Sequence, residues 1–183
     1  MNLRNIITNK SFLFLDRDGV INKRPYNDYV KKWEDFEFIP GVLNSLQCFA
    51  KHFEKIFIVT NQQGVGKGFM SIKDLDHIHS LMKETIQNHG GRVDEIFYCT
   101  QLKSDIDNCR KPSIQMALWA KEKFPEVDFS KSLMIGDTIS DMKFAKSAGM
   151  FSVLLDNEHL SEQDKSQCDC LIKTLNDISK ILN

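Results

Sequence analysis

Asp16 and Asp18 stand two residues apart and are followed at once by a glycine, in Phe12-Leu13-Phe14-Leu15-Asp16-Arg17-Asp18-Gly19-Val20. Two carboxylates held in fixed relation form a hard-oxygen cage suited to Mg2+. One of them can attack a phosphorus atom, and the other can carry a proton to or from the reacting group. The plainer alternative is that the pair caps a turn, since Asp-Gly is a common turn dipeptide. Three later polar stretches weigh against it: Thr60-Asn61-Gln62-Gln63-Gly64, Arg110-Lys111-Pro112, and Gly136-Asp137-Thr138 with Asp141 beyond. Phosphoryl transfer needs a nucleophile in line, neutralised equatorial oxygens and a proton for the leaving oxygen. Asp16 serves as the nucleophile and Asp18 as acid and base. Lys111 supplies a compact positive charge and Thr60 a neutral donor. Asp16, Asp18 and Asp137 form the expected Mg2+ set, with Asp141 behind them or merely the first-turn acid of a helix.

These residues lie far apart in sequence, so regular elements must bring them together. The four apolar residues before Asp16 read as a strand buried on both faces. Lys55–Val59, Glu95–Tyr98, Ser132–Ile135 and Phe151–Leu155 read the same way. Between them, spacings of three and four predict helices over Val42–His52, Ser71–Asn88 (Ser71 as N-cap), Pro112–Phe124 and Asp141–Ala148, with a last helix over Leu175–Leu182. Alternation of strand and helix predicts a Rossmann-like three-layer α/β/α fold with a parallel central sheet. Right-handed crossovers then deliver Asp16, Asp18, Thr60, Asn61, Lys111 and Asp137 to one rim.

At 183 residues, with no linker-like stretch, a single domain spanning 1–183 is expected. The segment 22–40, polar and aromatic, leaves directly from the Asp pair and reads as a substrate-facing loop. A formal net charge of −1 gives no field for nucleic acid or an anionic membrane. No apolar run reaches spanning length, and the N-terminus lacks a signal-peptide core. Five cysteines without an export signal point to reduced thiols and a cytoplasmic setting.

Asp16-Arg17-Asp18-Gly19, Thr60-Asn61, Lys111-Pro112 and Gly136-Asp137-x-x-x-Asp141, in that order, resemble the four motifs of the haloacid dehalogenase superfamily. The resemblance implies a Mg2+-dependent phosphatase of that fold, with Asp16 as nucleophile and Asp18 as acid/base. Longer stretches, among them Phe36-Glu37-Phe38-Ile39-Pro40-Gly41-Val42 and Cys109-Arg110-Lys111-Pro112, are similar to the branch holding heptose-1,7-bisphosphate 7-phosphatases and histidinol-phosphate phosphatases. The first of these favours the heptose enzymes, which serve bacterial envelope (lipopolysaccharide) precursor synthesis. By that likeness Arg110 reads a distal group such as a second phosphate, and Asn61, Gln62 and Arg24 also contact substrate. The gap after Asp18 is too short for a large cap domain. That branch usually carries a structural zinc in the loop before Arg-Lys-Pro. Here the matching positions are Cys99, Gln101, Asp107 and Cys109; glutamine is a poor zinc ligand, so loop 99–111 is expected to have lost the metal.

Other features read plainly. Asn61–Gly68 hints at a phosphate loop but lacks its leading glycine and the Ser/Thr after Lys67. His77 and His79 cannot share a helix face and are expected to be solvent-exposed. Cys168 and Cys170 lack a second pair and read as ordinary thiols. Trp33 and Tyr26 either line a sugar or decorate the surface. The expected function is hydrolysis of a small sugar phosphate by a monomer acting on neither nucleic acid nor membrane. Histidinol phosphate is the alternative substrate, and a binding protein without catalysis is the contrasting class.

Overall fold

The computed structural model describes residues 3–25 and 28–183. The chain runs α1 (Leu3–Thr8), β1 (Phe12–Leu15), α2 (Val42–His52), β2 (Lys55–Asn61), α3 (Gln63–Gly66), α4 (Ile72–Asn88) and β3 (Glu95–Cys99). It continues through α5 (Gln115–Lys123), β4 (Ser132–Gly136), α6 (Ile139–Ala148), β5 (Phe151–Leu155), α7 (Glu162–Lys165), β6 (Cys170–Ile172) and α8 (Leu175–Leu182). The six strands form one sheet in the order β3-β2-β1-β4-β5-β6, and every neighbouring pair is parallel.

The period of two along a strand divides the core. In β1, Leu13 and Leu15 face one layer with Leu46, Phe49, Ile78, Met82 and Ile178 of α2, α4 and α8. Phe12 and Phe14 face the other, with Met116 and Ala117 of α5 and Phe144 and Ala145 of α6. Such two-sided burial explains why these strands read as unbroken apolar runs. The bounds of α2, β5 and α8 fall where the side-chain pattern put them. Two elements start elsewhere. Pro112 lies in a turn after a cis Lys111–Pro112 bond, and α5 begins only at Gln115. The α6 helix begins at Ile139, before Asp141, because Thr138 caps it: the Asp141 carboxylate accepts from the Thr138 N–H at 3.0 Å.

Because β1 pairs with both β2 and β4, the strand order reverses at β1, and ligands bind at such a switch point in open α/β sheets. Between β1 and α2 the described residues of 16–41 form a short 3-10 turn at Trp33–Asp35 and isolated bridges, and no large cap is evident among them. Trp33 stacks on Phe36 at 5.0 Å and meets Phe38, packing against the core rather than lining the rim cavity. Tyr26 lies outside the described residues. No helix among the described residues is long and apolar enough to cross a membrane.

Five free thiols do not survive as an expectation. Cys99, at the end of β3, is joined to Cys109 by a disulfide, with Cα atoms 5.6 Å apart; Cys48, Cys168 and Cys170 stay free. The strand end and the returning loop hold the two residues within ordinary bridging range. Both sulfurs are therefore unavailable as thiolates, and the Gln101 carbonyl accepts from the Cys109 N–H at 2.9 Å.

Gly136 ends β4 where a Cβ would meet the Asp141 Cβ at 2.2 Å and its Cγ at 2.4 Å. Gly136→Ala must push α6 off the sheet. We expect it to lower stability by about 1–3 kcal/mol, read as a fall in the urea midpoint; an unchanged midpoint would show that the junction yields freely.

Candidate active site

The rim built by the carboxyl ends of β1, β2 and β4 gathers the acids and bases. Asp16 follows β1 directly, its N–H bonded to the Ile135 carbonyl of β4 at 3.0 Å. Asp137 follows β4 and approaches so closely that a Cβ on Gly19 would fall 1.9 Å from its Oδ2; Gly19 also has φ +92°. Only glycine meets both demands. Oxygens of Asp16, Asp137 and Asp141 lie within 4.8 Å of one another.

Lys111 answers two of these charges. Its buried Nζ lies 2.8 Å from Asp16 Oδ1 and 2.6 Å from Asp141 Oδ1, and donates to the Val59 carbonyl at 2.7 Å. Burial alone would depress its pKa, but Asp141 and Asp16 outweigh burial and raise it, so Lys111 is a fixed cation. Asn61 holds the lysine in place: its Oδ1 accepts from the Lys111 N–H at 3.0 Å and its Nδ2 donates to the Lys111 carbonyl at 3.3 Å. Asp141 is fully buried. Its other oxygen accepts from Thr138 N and Oγ1, so it is both the capping acid of α6 and the anchor of Lys111.

Asp16 and Asp137 remain undercompensated. Burial, opposed by Lys111, pushes Asp16 up to about 6; burial and then Asp16 push Asp137 up to about 8. Into this field comes the Arg24 guanidinium. Its Nη2 donates to the Asp18 carbonyl at 2.7 Å and to Asp137 Oδ1 at 2.9 Å, and lies 3.7 Å from Asp16 Oδ2. A positive group thus already stands among three converging oxygens. That donor set, two carboxylates and a backbone carbonyl, fits a hard dication with oxygen preference such as Mg2+. Asp18 would take part through its carbonyl, because its carboxylate points elsewhere.

The Asp18 carboxylate accepts from Arg17 Nη2 at 2.8 and 2.9 Å, from Arg17 Nε at 3.3 Å, from Asn22 Nδ2 at 2.9 Å and from Gln62 Nε2 at 2.8 Å. Burial works to raise its pKa, but Arg17, then Asn22 and Gln62, hold it below the usual carboxylate range. Gln62, expected to touch substrate, is buried and bonds Asp18 and Thr60 Oγ1 instead. Thr60, Asn61, Arg24, Arg110 and Lys111 line a cavity of about 240 Å3 with Asp16 and Asp18. Arg110 Nη1 is buried with no hydrogen-bond partner among the described residues. A wider cleft of about 1200 Å3 opens past Arg24 and Asp137 towards Asn157 and Lys173.

His79 corrects the expectation of a solvent-exposed helix position. It is 5% exposed, with Nε2 at 3.1 Å from Arg17 Nη1 and its ring 5.4 Å from that of Tyr98. The signal was in the spacing: Leu75, Ile78, His79, Met82 and Ile86 form one helical stripe, and all are buried.

A doubly wound parallel sheet with an Asp-x-Asp pair after its central strand, a lysine and a second acidic rim defines a haloacid dehalogenase-like hydrolase. The comparisons agree. The HAD-hydrolase-like family model matches residues 108–178. D-glycero-α-D-manno-heptose-1,7-bisphosphate 7-phosphatase of Mycobacterium tuberculosis is 38% identical over 133 residues, 73% of this chain and 70% of the relative. The enzyme of that name from Campylobacter jejuni is 37% identical over 152 residues, 83% of this chain and 86% of the relative. The crystal structure of D,D-heptose 1,7-bisphosphate phosphatase from B. bronchiseptica, complexed with magnesium and phosphate, superposes with a TM-score of 0.84. It is 26% identical and the match covers 94% of this chain and 97% of that one. The chain belongs to the haloacid dehalogenase-like phosphatases.

Burial, then Arg17, pushes His79 down to about 3, so the ring is neutral when folded and takes a proton readily only when unfolded. The unfolded chain therefore binds more protons between pH 6.5 and about 3, and stability falls as pH drops through that window. We expect His79→Gln to flatten this dependence by up to about 1.4 kcal/mol per pH unit, measured as urea midpoints at pH 7, 6 and 5. Parallel pH trends for the two proteins would rule out a buried neutral ring.

Proposed function

We propose that the chain hydrolyses the 7-phosphate of a heptose 1,7-bisphosphate through an aspartyl-phosphate on Asp16, with Mg2+ as cofactor. The carrying observation is the cavity itself: the Asp16 carboxylate, a fixed lysine and Arg110, whose Nη1 has no hydrogen-bond partner among the described residues, line the same 240 Å3. The named substrates of the relatives favour the heptose, and both cited relatives bear the α configuration in their names.

Asp16, Asp137 and the Asp18 carbonyl would hold the cation, which when bound offsets the repulsion between the carboxylate and the phosphoryl dianion. Arg24, whose Nη2 lies among those same oxygens, would be free to meet the phosphate when the cation is bound. An Asp16 oxygen attacks phosphorus as the bond to the sugar oxygen breaks, and Asp18 gives its proton to the departing alcohol. The anchored Asp18 is a carboxylate at rest; the approaching dianion, a like charge, raises its proton affinity, and the proton it passes on is taken up from solvent as substrate enters. Asp18 then takes a proton from water, whose oxygen attacks phosphorus and frees Asp16 with release of inorganic phosphate. The Thr60 hydroxyl donates to an equatorial oxygen, and Lys111, its three N–H groups engaged by Asp16, Asp141 and the Val59 carbonyl, adds its positive charge beside them. Arg110 takes the distal phosphate through its guanidinium, whose Nη1 has no partner among the described residues.

The chain is read as a single domain and a monomer working in the cytoplasm, with loops 22–40 and 99–111 framing the substrate. Loop 99–111 is closed by a disulfide, which supports the reading that it works without zinc.

Asp16→Asn is expected to abolish phosphate release while the folded circular-dichroism spectrum persists; continued turnover would exclude covalent catalysis at this residue. A panel of both heptose bisphosphate anomers, the matching monophosphates and histidinol phosphate tests the substrate. Arg110→Ala should raise KM for the bisphosphate roughly tenfold or more, the scale of one lost charge-assisted contact, and leave KM for a monophosphate nearly unchanged. Equal effects on both would remove Arg110 from distal-phosphate recognition.

A further inference from the structure

Arg17 is the largest fully buried side chain among the described residues, and it lies between two groups from different elements. Its Nε–Nη2 edge forks onto the Asp18 carboxylate, while Nη1 meets His79 Nε2 at 3.1 Å. Arginine carries donors only and no acceptor. The contact is therefore an Arg17 N–H donated to His79, which fixes the imidazole as the neutral tautomer with its proton on Nδ1. A neutral acceptor is what this place requires, because a protonated ring would set two buried cations against each other. Tyr98 of β3 packs against the ring, and its hydroxyl donates to Asp76 Oδ1 at 2.9 Å, so β3 and α4 together hold the histidine.

The consequence concerns aim. A carboxylate beside a guanidinium can be met by either of its edges or by its end, and the side chain has several rotatable bonds. The Nη1–His79 bond holds the guanidinium from turning, and it is the Nε–Nη2 edge that faces Asp18. Asn22 Nδ2 and Gln62 Nε2 then each bond one oxygen of the same carboxylate. We infer that His79 and Arg17 are positioning residues that, through this buried brace, set the orientation in which Asp18 delivers its proton to the leaving alcohol. The inference rests on the acid role proposed above for Asp18.

Leaving-group dependence tests it. A sugar alkoxide departs only with a proton, whereas p-nitrophenolate departs without one, so misaiming Asp18 harms the first ester selectively. First-turnover cleavage, with enzyme in excess, is compared for D-glycero-α-D-manno-heptose 1,7-bisphosphate and p-nitrophenyl phosphate. His79→Leu and Arg17→Lys are expected to slow the heptose ester roughly tenfold or more beyond any slowing of the nitrophenyl ester. His79→Gln, whose carbonyl can accept the same N–H, should recover most of that difference. Should His79→Leu not fold, His79→Asn, too short to reach Arg17, takes its place. Equal slowing of the two esters, no slowing of either, or a glutamine variant as impaired as the leucine one would overturn the brace. Asp18→Asn in the same assay separates the readings: if it too slows both esters alike, the acid role of Asp18 fails and not the brace alone.

Discussion

Asp16, Asp137 and Asp141 bring three carboxylates within 4.8 Å, out of bulk water, at the end of a parallel sheet. At an effective dielectric of about 20, two unit charges 4 Å apart repel by about 4 kcal/mol. The surroundings are organised to answer that repulsion. Lys111 bridges Asp16 and Asp141, Arg24 reaches Asp137, and Arg17 takes the side chain of Asp18 away from the cluster. Lys111 and Arg24 both approach Asp16, where burial still outweighs Lys111, whereas at Asp18 Arg17 with Asn22 and Gln62 outweighs burial. Asp16 is raised and Asp18 is lowered. Neighbouring acids driven apart in proton affinity are what a nucleophile and a proton carrier need to divide one reaction.

The polar residues that hold these cations are as important as the cations. Asn61 clips the backbone of Lys111 from both sides, and Gln62 ties Asp18 to Thr60. Both come from the end of β2, beside the central strand. The β2 end of the rim is therefore set by β-sheet register, while Arg24, Tyr29, Arg110 and Lys111 reach the cavity from irregular chain.

Most of the scaffold was legible because its signals are local. Apolar runs such as Phe12–Leu15 and the stripe through Val42, Leu46 and Phe49 depend on nothing outside their own window. The Asp16–Asp18 pair and Asp137 were legible for another reason: charge at the end of a buried strand has no packing explanation. What escaped was pairing across the fold. Gln62 reads as a substrate contact until the turn after β2 is seen to point it inward. His79 looks like surface polarity until Arg17, itself a cation in an apolar stretch, is seen to need a neutral acceptor. The Cys99–Cys109 bond depends on the course of a loop, which no periodicity describes.

That bond closes the loop leading to Arg110 and Lys111. Linking residues 10 apart in sequence removes unfolded-state freedom worth roughly 3 kcal/mol. Lys111 is fastened again by Asn61, Asp16 and Asp141, whereas Arg110 is held through its backbone, its N–H donating to Asn108 Oδ1 and its carbonyl accepting from the Ser113 N–H. On the proposed reading Arg110 grips the far phosphate of the sugar, so that grip sits in a loop that two electrons and two protons would open, while Lys111, a single residue further on, keeps its bonds to Asn61, Asp16 and Asp141.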